Sequence, residues 1–408
     1  MFITKKKYQQ HDFFVSIGAG FNQIPIIDEA RRLGFKVIGV DKNISAVGIP
    51  KCDLKILESI DNHEDILQKL HELLVDGQIK AVLSKSFGPA IKTTCFISNN
   101  LNIPLIPYNR IDDFIDKKRM KTIFTQNDIK SSDFRVFHQK DYPSKIKKKE
   151  FPLVIKPIIG HAKMDVELLE NTSDLSRYLQ KAPSNRHLEY MIEKYIEGDE
   201  IIAVGIVHNK KYHLIDIIDK IKTPPPFFVD IMHISPSKYM NLWDKIINIG
   251  QKVSDAFEIS TSPLIMELII TKEESINVIE AVPEFGGEFL PEILIPSRTG
   301  YNFIREAIKA TISNDFKPPK KTNGKDTIVV KYITGQKGIL SSFDSDQPIK
   351  QPDILYSRMF SEIGSKIKDP MTNHDRIGVI IAKGKMKGKT IETAKKAETS
   401  MNIEIMVN

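Results

Sequence analysis

The sequence PLIMELIITKEESINVIEAVPEFGG, residues 263–287, holds two apolar runs on either side of a polar turn around Glu273 and Glu274. Alternating side chains in both runs predict a β-hairpin. With the turn centred between those two acids, Glu267 lies directly opposite Glu280, because the two positions are symmetric about it. Alternation also predicts that both carboxylates share their face with apolar residues, namely Ile265, Ile269, Ile276, Val278 and Val282.

Two facing carboxylates on an apolar surface need a partner. Like charges at close range repel each other, and burial strengthens the repulsion. A divalent cation between Glu267 and Glu280 removes this conflict. Oxygen-only ligation suits Mg²⁺, which proteins commonly hold with one or two carboxylates and the phosphates of a substrate. The pair is therefore a predicted Mg²⁺ site, and the alternative is a register shift that exposes one of the two acids.

Two segments before the hairpin carry further charged residues. FPLVIKP, residues 151–157, reads as an apolar strand with Lys156 near its end. Burying a lysine there is unfavourable unless it meets an anion, and the alternative is a lysine that reaches solvent at a strand edge. Residues 190–218 read as three strands joined by two turns, and Glu193 and Glu200 flank the first turn. By themselves, these acids are equally compatible with an exposed turn.

The first 108 residues alternate strands and helices. VSIGAGFNQIPIIDEARRLGFKVIGVDKN, residues 15–43, reads as a strand, a turn at Gly18 to Gly20, a helix and a strand that ends at Asp41. This is a βαβ unit, and the pattern then repeats more loosely. The predicted elements are strands at 13–17, 35–40, 81–83 and 103–106 and helices at 23–33, 59–75 and 89–99. Residues 1–108 are therefore a predicted doubly wound, Rossmann-like α/β domain.

The glycine turn leaves two interpretations open. A dinucleotide fingerprint needs a third glycine for close packing of helix against strand, and Gln23 stands near that place. A nicotinamide-dependent oxidoreductase is one interpretation. The other is a βαβ scaffold whose backbone at Gly18 and Gly20 approaches a different ligand.

Composition excludes several classes of protein. The chain has 408 residues, 41% hydrophobic and 27% charged, which is typical of a globular protein of two or three domains. Its net charge of +7 suits an anionic substrate, and aromatic residues do not interleave with the lysine run at 145–149, so we predict a solvated surface rather than a nucleic-acid interface. Cys52 and Cys95 lack metal-ligand spacing, and no signal peptide or bilayer-length apolar run occurs. We therefore expect a cytoplasmic protein without membrane contacts.

The charged motifs resemble, in their order and spacing, those of the ATP-grasp superfamily. The motifs are Asp116-Lys117 at the start of a basic helix within 111–130, the strand lysine Lys156, the segment EKYIEGDE at 193–200, and the acids Glu267 and Glu280. The resemblance is to the carboxylate–amine ligase branch, which includes biotin carboxylase, carbamoyl phosphate synthetase, purine-pathway enzymes and L-amino acid ligases. It implies a Rossmann-like domain at 1–108, a two-subdomain ATP-grasp core of α+β type at 109–313 and a small C-terminal α+β lid domain at 314–408.

The resemblance also implies roles for individual residues. Lys117 and Lys156 would reach the phosphates of ATP, Glu193 the adenine and Glu200 the ribose. The remaining implied roles are hinge backbone for Tyr195 and Ile196 and Mg²⁺ ligation for Glu267 and Glu280. In this family the first domain usually helps to bind the substrate rather than a dinucleotide, which favours a substrate role for Gly18 and Gly20.

The chain departs from the family at two places. The loop over the triphosphate is usually rich in glycine and serine, whereas here it reads PIIGHAKMDV with Gly160 alone, so His161 and Lys163 are candidate side-chain donors. The usual Glu-x-Asn-x-Arg is Glu280-Ala-Val-Pro-Glu284, which lacks both the Asn ligand and the Arg. Glu284 is then expected to meet a cationic group of the substrate, such as an amine.

Arg298, further along the chain, is the candidate replacement for the missing arginine. Arg298 follows the loop at Gly286 and Gly287, which is also a candidate for substrate contact. We expect Arg298 to steady an acyl phosphate, and the alternative is an arginine in a surface salt bridge.

The expected activity is that of an ATP-dependent ligase. With ATP and Mg²⁺ it would activate a small-molecule carboxylate as an acyl phosphate and join it to an amine, releasing ADP and phosphate. Homodimers are common in this family. The alternatives are a bicarbonate-using carboxylase or carbamoyl-forming enzyme, a catalytically silent nucleotide-binding protein, and the nicotinamide oxidoreductase. The changed loop and the missing arginine motivate the silent protein.

Overall fold

The computed structural model describes residues 11–73, 78–86, 88–138, 146–181, 189–287, 289–312, 315–322, 324 and 326–407. Within these ranges the strands form four sheets. Lys145 of the lysine run, the end of the helix predicted at 59–75 and the boundary predicted at 313 lie outside them. The described part contains no helix long and apolar enough to cross a membrane. Both cysteines are free thiols.

A four-stranded parallel sheet forms the N-terminal domain, in the order β3-β2-β1-β4. Its strands are β1 (Phe13–Ile17), β2 (Lys36–Val40), β3 (Leu54–Ile56) and β4 (Ile79–Leu83). The helices are α1 (Ile24–Arg32), α2 (His63–Leu73) and α3 (Pro89–Asn100). The predicted βαβ unit is confirmed, and Gly34 ends its helix with a φ of 91°.

One predicted strand of this domain is wrong. Residues 103–106 are coil, although Ile103, Leu105 and Ile106 are buried. Pro104 lies inside the run and Pro107 follows it. Proline has no N–H to donate to a ladder, so an apolar run of this kind is buried without pairing. The sheet is completed at its other edge by β3, which is too short to give a recognisable pattern.

The basic segment at 111–130 forms two helices rather than one, α4 (Asp112–Ile115) and α5 (Lys117–Gln126). The chain breaks at Asp116, which is extended and whose carboxylate accepts hydrogen bonds from the backbone N–H groups of Lys118 and Arg119. This N-cap satisfies donors that the helix itself leaves free. The apolar side chains of this segment, Phe114, Met120, Ile123 and Phe124, are buried.

A small antiparallel sheet follows, in the order β5-β8-β6-β7. Its strands are β5 (Phe134–His138), β6 (Leu153–Pro157), β7 (Glu167–Leu169) and β8 (Glu189–Lys194), and α6 (Thr172–Lys181) packs beside β7. This sheet carries Lys156 on β6 and Glu193 on β8, one strand apart. It forms one wall of the cleft described below.

An eight-stranded antiparallel sheet forms the centre of the protein, in the order β13-β12-β9-β10-β11-β14-β18-β16. The five strands at one side of it, from the edge strand β13 inwards, are β13 (Ile276–Val282), β12 (Ser262–Ile270), β9 (Asp199–His208), β10 (Lys211–Lys222) and β11 (Asp230–Ser235). One face packs against α5 and α7 (Trp243–Ala256). The other packs against α1, α8 (Ile295–Thr299) and α9 (Phe303–Ile312), which docks the N-terminal domain on the sheet.

The hairpin of β12 and β13 places Glu267 opposite Glu280, as the sequence predicts. The turn itself closes with Ile270 opposite Ile276, and a bulge at Ile279 then brings Glu280 into register. The bulge shifts the alternation of side chains. Val278 therefore pairs with Leu268 on the face that packs against α5 and α7. The prediction that Ile276 and Val278 share a face with Glu280 is therefore wrong.

The C-terminal region is built onto the central sheet. Strands β14 (Thr327–Thr334), β16 (Ile354–Met359) and β18 (Arg376–Gly384) extend that sheet, so its hydrogen-bonded ladder crosses the predicted domain boundary. A separate three-stranded sheet joins β15 (Gly338–Ser342), β17 (Lys366–Ile367) and β19 (Glu404–Met406). Helix α10 (Lys387–Ser400) packs on β14 and β18.

Candidate active site

A cleft of about 930 Å³ is lined by residues of the small sheet and of the central sheet. All nine residues predicted for nucleotide or metal binding line it, namely Lys117, Lys156, His161, Glu193, Tyr195, Ile196, Glu200, Glu267 and Glu280. These residues come from five strands, one helix and two loops that are distant in the sequence. The structure therefore brings together all the residues that the sequence singled out for this chemistry.

The small sheet contributes a buried ion-pair triad to the cleft. Glu193 lies between two lysine ammonium groups, with Lys121 Nζ at 2.9 Å from Oε1 and Lys156 Nζ at 2.6 Å from Oε2. Burial raises the pKa of this carboxyl, but the two positive charges outweigh it and bring the pKa to about 2. Burial also lowers the pKa of Lys121 to about 8, against the attraction of Glu193. Glu193 is therefore an ionised anchor for Lys156.

The central sheet contributes a second, larger network around Lys220. The ammonium of Lys220 lies 2.6 Å from Glu200, 2.7 Å from Glu267 and 3.4 Å from Asp230. Lys222, two residues further along β10, lies 2.5 Å from the other oxygen of Glu200. Burial lowers the pKa of Lys220, but Asp230, Glu200 and Glu267 outweigh it and raise the pKa well above its ordinary value.

Lys117 and Glu280 form the end of the cleft where helix α5 begins. Their side chains approach to 3.5 Å, and Lys117 Nζ also donates to the carbonyl of Gly160 at 2.8 Å. Burial raises the pKa of Glu280, but Lys117, Lys156 and other nearby lysines lower it below its ordinary value. Glu280 is therefore ionised and faces a cluster of cations.

The loop at 160–166 has an unusual backbone for its sequence. Ala162, Lys163 and Asp165 have φ values of 54°, 61° and 55°, in the left-handed region that favours glycine. Side chains are disfavoured there, and residues held in this way gather at functional sites. The loop is tied to the C-terminal region, because Asn373 N donates to the Ala162 carbonyl at 3.0 Å.

The cleft also has an apolar part. Tyr195 and Phe228 stack with their ring centroids 6.5 Å apart, and Lys222 Nζ lies 5.0 Å from the centre of the Phe228 ring. Further apolar side chains that line the cleft are Val154, Met164, Val166 and Ile196. The stacked rings thus suit a flat apolar group, within the same cleft as the lysines and glutamates.

Glu267 and Glu280 fit the donor set that Mg²⁺ prefers. Their side chains are 22% and 26% exposed, and both line the cleft. The described residues contain no group of three or more acidic, histidine or cysteine side chains placed to hold a metal. A cation held here would therefore have two protein carboxylates and would take its other ligands from phosphate oxygens or water.

Arg298 lies outside this cleft. It is 6% exposed, and its guanidinium contacts the chain after α9, donating weakly to the carbonyl of Thr322 at 3.4 Å. Its Nε and Nη1 atoms have no hydrogen-bond partner among the described residues. The alternative of a surface salt bridge is wrong, because the side chain is buried. The role of Arg298 in catalysis stays a prediction.

The predicted substrate residues belong to two segments, the glycine turn after β1 and the chain after β13. Gly18 and Gly286 both have a φ of 91°, which only glycine adopts easily. Beside Gly20, the ring of Phe21 is covered by the Arg358 guanidinium at 3.8 Å from its centre. Glu284 and Gly287 follow β13, and their contacts with substrate stay predictions.

The acid at the end of β2 is engaged by the glycine turn itself. Asp41 accepts a hydrogen bond from the backbone N–H of Ala19, at 3.0 Å. Gln23, near the place of the missing third glycine, is buried, and its side chain bonds Ser86 and the N–H of Lys85. Both groups thus serve the local structure of the turn.

Sequence reasoning missed several residues of the cleft region. Lys220 and Lys222 alternate at the end of a mainly apolar run that also holds Asp216 and Asp219, and this was the available signal. Asp230 and Asn373 gave no signal, because they meet only in three dimensions. Asn373 Nδ2 donates to Asp230 at 2.8 Å, and Asp230 N donates to Asn373 Oδ1 at 2.9 Å.

A buried acid behind the cleft makes stability depend on pH. Burial raises the pKa of Asp216 to about 6, although Ser235 Oγ donates to it at 2.5 Å. The folded protein thus holds a proton that the unfolded chain, with a pKa near 3.8, releases. The contribution of protonated Asp216 to the free energy of unfolding is complete below about pH 4 and is lost as the pH rises through 6.

We expect Asp216→Asn to be more stable than the wild type at pH 7.5, by up to about 3 kcal/mol, because the neutral amide is not forced to ionise in a buried place. The advantage shrinks at pH 5, where the wild-type carboxyl is mostly protonated when folded. Urea unfolding at both pH values measures it. A difference that does not change with pH would contradict this assignment.

The chain is similar to a protein-family model, to curated relatives and to solved structures. Residues 149–292 match the family model of the ATP-grasp domain. A segment of 97 residues is 27% identical to carbamoyl-phosphate synthase of Methanobrevibacter smithii, and it covers 24% of this chain and 25% of that relative. The chain thus matches about a quarter of the length of this curated relative.

Solved structures match nearly the whole chain. The L-amino acid ligase of Bacillus licheniformis superposes with a TM-score of 0.80 at 20% identity, covering 97% of this chain and 99% of that one. The biotin carboxylase domain dimer of the 2-oxoglutarate carboxylase of Hydrogenobacter thermophilus, solved with MgADP and bicarbonate, superposes with a TM-score of 0.70 at 15% identity, covering 97% and 91%. Both share the fold seen here, and residues 149–292, which match the ATP-grasp domain, contain most of the lysines and glutamates that line the cleft.

Proposed function

We propose that this protein is an ATP-dependent ligase that activates a small-molecule carboxylate and joins it to an amine, releasing ADP and phosphate. The observation that carries the proposal is the cleft, in which two facing carboxylates lie beside a cluster of lysines. The match of 149–292 to the ATP-grasp domain and the fold shared with an L-amino acid ligase support it.

The cleft offers separate places for the parts of ATP. The stacked rings of Tyr195 and Phe228 would take the base, beside the hinge at Ile196. Lys117 and Lys156 would hold phosphates, since both project from the cleft wall with their carbon chains buried. Glu200 is fully engaged by lysines, so a ribose hydroxyl there would share an oxygen with them.

Glu267 and Glu280 would hold Mg²⁺ together with phosphate oxygens, and the ion would neutralise charge on the transferred phosphoryl group. The chain's own residues position the reactants. A substrate carboxylate oxygen attacks the γ-phosphorus and ADP leaves; the amine then attacks the acyl carbon, phosphate leaves, and the amine loses a proton. Positioning and cationic side chains supply the catalysis, and no covalent nucleophile is needed.

Two other functions differ in what they predict. A bicarbonate-using, carbamoyl-forming enzyme is favoured by the match to carbamoyl-phosphate synthase, and it predicts ADP release that depends on bicarbonate. A silent nucleotide-binding protein is favoured by Glu284 in place of the arginine, and it predicts MgATP binding without turnover. A cytoplasmic homodimer is our expectation for the active form.

Thermal unfolding of the purified protein with different ligands tests the proposal. We expect the melting temperature to rise with MgATP, to rise less with ATP and a chelator, and to stay unchanged with NADH. Pairs of carboxylates and amines are then screened for ADP release. A response to NADH without a response to ATP would show that the glycine turn is a dinucleotide site and would refute the ligase.

A further inference from the structure

One lysine of the 160–166 loop lies between two carboxylates of the cleft, one of which is a predicted metal ligand. Lys163 Nζ lies 3.3 Å from Glu200 Oε1 and 3.2 Å from Glu267 Oε2. Lys220 Nζ lies 2.7 Å from the other oxygen of Glu267, Oε1. Both oxygens of Glu267 are therefore engaged by ammonium groups, and a metal ion at this carboxylate must displace one of them.

The two lysines differ in how firmly they are held. Lys220 belongs to a strand, its side chain is 1% exposed, and a third carboxylate, Asp230, lies 3.4 Å away. Lys163 belongs to a loop, its side chain is 18% exposed, and its distances to Glu200 and Glu267 are longer than those of Lys220 to the same two acids. Lys163 is therefore the ammonium that a metal would displace.

The charge of the cleft gives a free metal ion little attraction. Among the described residues, five lysines and four glutamates line it, with Lys220 directly behind. A nucleotide changes this balance, because its phosphates bring several negative charges into contact with the lysines. Lys163, which already pairs with Glu200 and Glu267, would then gain a phosphate as a further anionic partner, and the site at Glu267 would open.

We propose that Lys163 is a built-in substitute for the metal, which keeps divalent cations away from Glu267 until the phosphates of a nucleotide draw it away. The lysine thus couples metal entry to nucleotide entry. This inference rests on the proposed function in one respect, that Glu267 holds the metal. It goes further in assigning an order of binding and in giving Lys163 a role in the nucleotide-free protein.

Binding of Mn²⁺ to the nucleotide-free protein tests this role, followed through the electron paramagnetic resonance signal of free Mn²⁺. We expect Lys163→Met and Lys163→Gln to bind Mn²⁺ at least about tenfold more tightly than the wild type, because both free one oxygen of Glu267. Lys163→Arg keeps the positive charge and should bind as weakly as the wild type. Using two neutral variants keeps the test valid if one of them folds poorly.

Lys222→Met is the matched control. Lys222 lies 2.5 Å from Glu200 and has no ion pair with Glu267, so its removal should leave Mn²⁺ affinity within about twofold of the wild type. Equal Mn²⁺ affinity in the wild type and both neutral variants overturns the inference. Wild-type stabilisation by MgATP separates the two ideas: when it is present, only the lysine's role has failed, and when it is absent, the ligase proposal has failed as well.

Discussion

Glu280→Gln is expected to lower ATP-dependent ADP release by about a hundred- to a thousandfold while the protein stays folded. Glu280 lies directly opposite Glu267, is 26% exposed towards the cleft, and has Lys117 at 3.5 Å. The amide has the same shape but lacks the negative charge, so the pair would lose half of its charge towards a cation. Because Glu280 is only partly buried, its replacement should affect turnover much more than stability.

The measurement is the rate of ADP release with a carboxylate and amine pair that the wild type uses. Glu273→Gln, in the exposed turn of the same hairpin, is the matched control and should keep wild-type activity. Circular dichroism and thermal unfolding check that both variants fold. ADP release by Glu280→Gln at the wild-type rate would show that this carboxylate holds no catalytic metal.

The hairpin shows how far a local pattern reaches. The facing of Glu267 and Glu280 follows from the symmetry of the turn, and it is correct. The bulge at Ile279 is not readable from the sequence, because it results from packing that buries Ile276 and Val278 against helices far away along the chain. The predicted turn centre is wrong by half a residue, since Ile270 pairs with Ile276, and the predicted strand lacks the extra residue of the bulge. These two errors offset each other, so the predicted pairing of Glu267 with Glu280 is correct.

Some residues of the cleft are indicated by the sequence pattern around them, and others are brought there only by the tertiary fold. Lys156 is visible as a charge within an apolar strand, where burial demands a partner, whereas Glu193 is visible only as an acid beside a predicted turn. Sequence alone cannot show that they are each other's partner, because the pairing depends on β6 and β8 being neighbours. Asn373 is harder still to predict from the sequence, because it contacts the 160–166 loop only once the C-terminal region has folded.

Lys220→Met is expected to lower the free energy of unfolding by about 3–5 kcal/mol at pH 7.5, the largest effect on stability among these changes. Lys220 is the shared partner of Glu200, Glu267 and Asp230, and its side chain is 1% exposed. Without it, three carboxylates face one another with Lys163 and Lys222 as the remaining nearby cations. Methionine fills a similar volume, so the loss reports charge rather than a cavity.

Urea unfolding measures this loss, with Lys211→Met as the matched control. Lys211 begins the same strand and is exposed, so its replacement should change stability by no more than about 0.5 kcal/mol. The double variant Lys220→Met with Glu200→Gln should recover part of the loss, since it removes one of the unpaired charges. A loss below about 1 kcal/mol for Lys220→Met alone would mean that Lys163 and Lys222 hold the three carboxylates without it, and that the network does not depend on its central lysine.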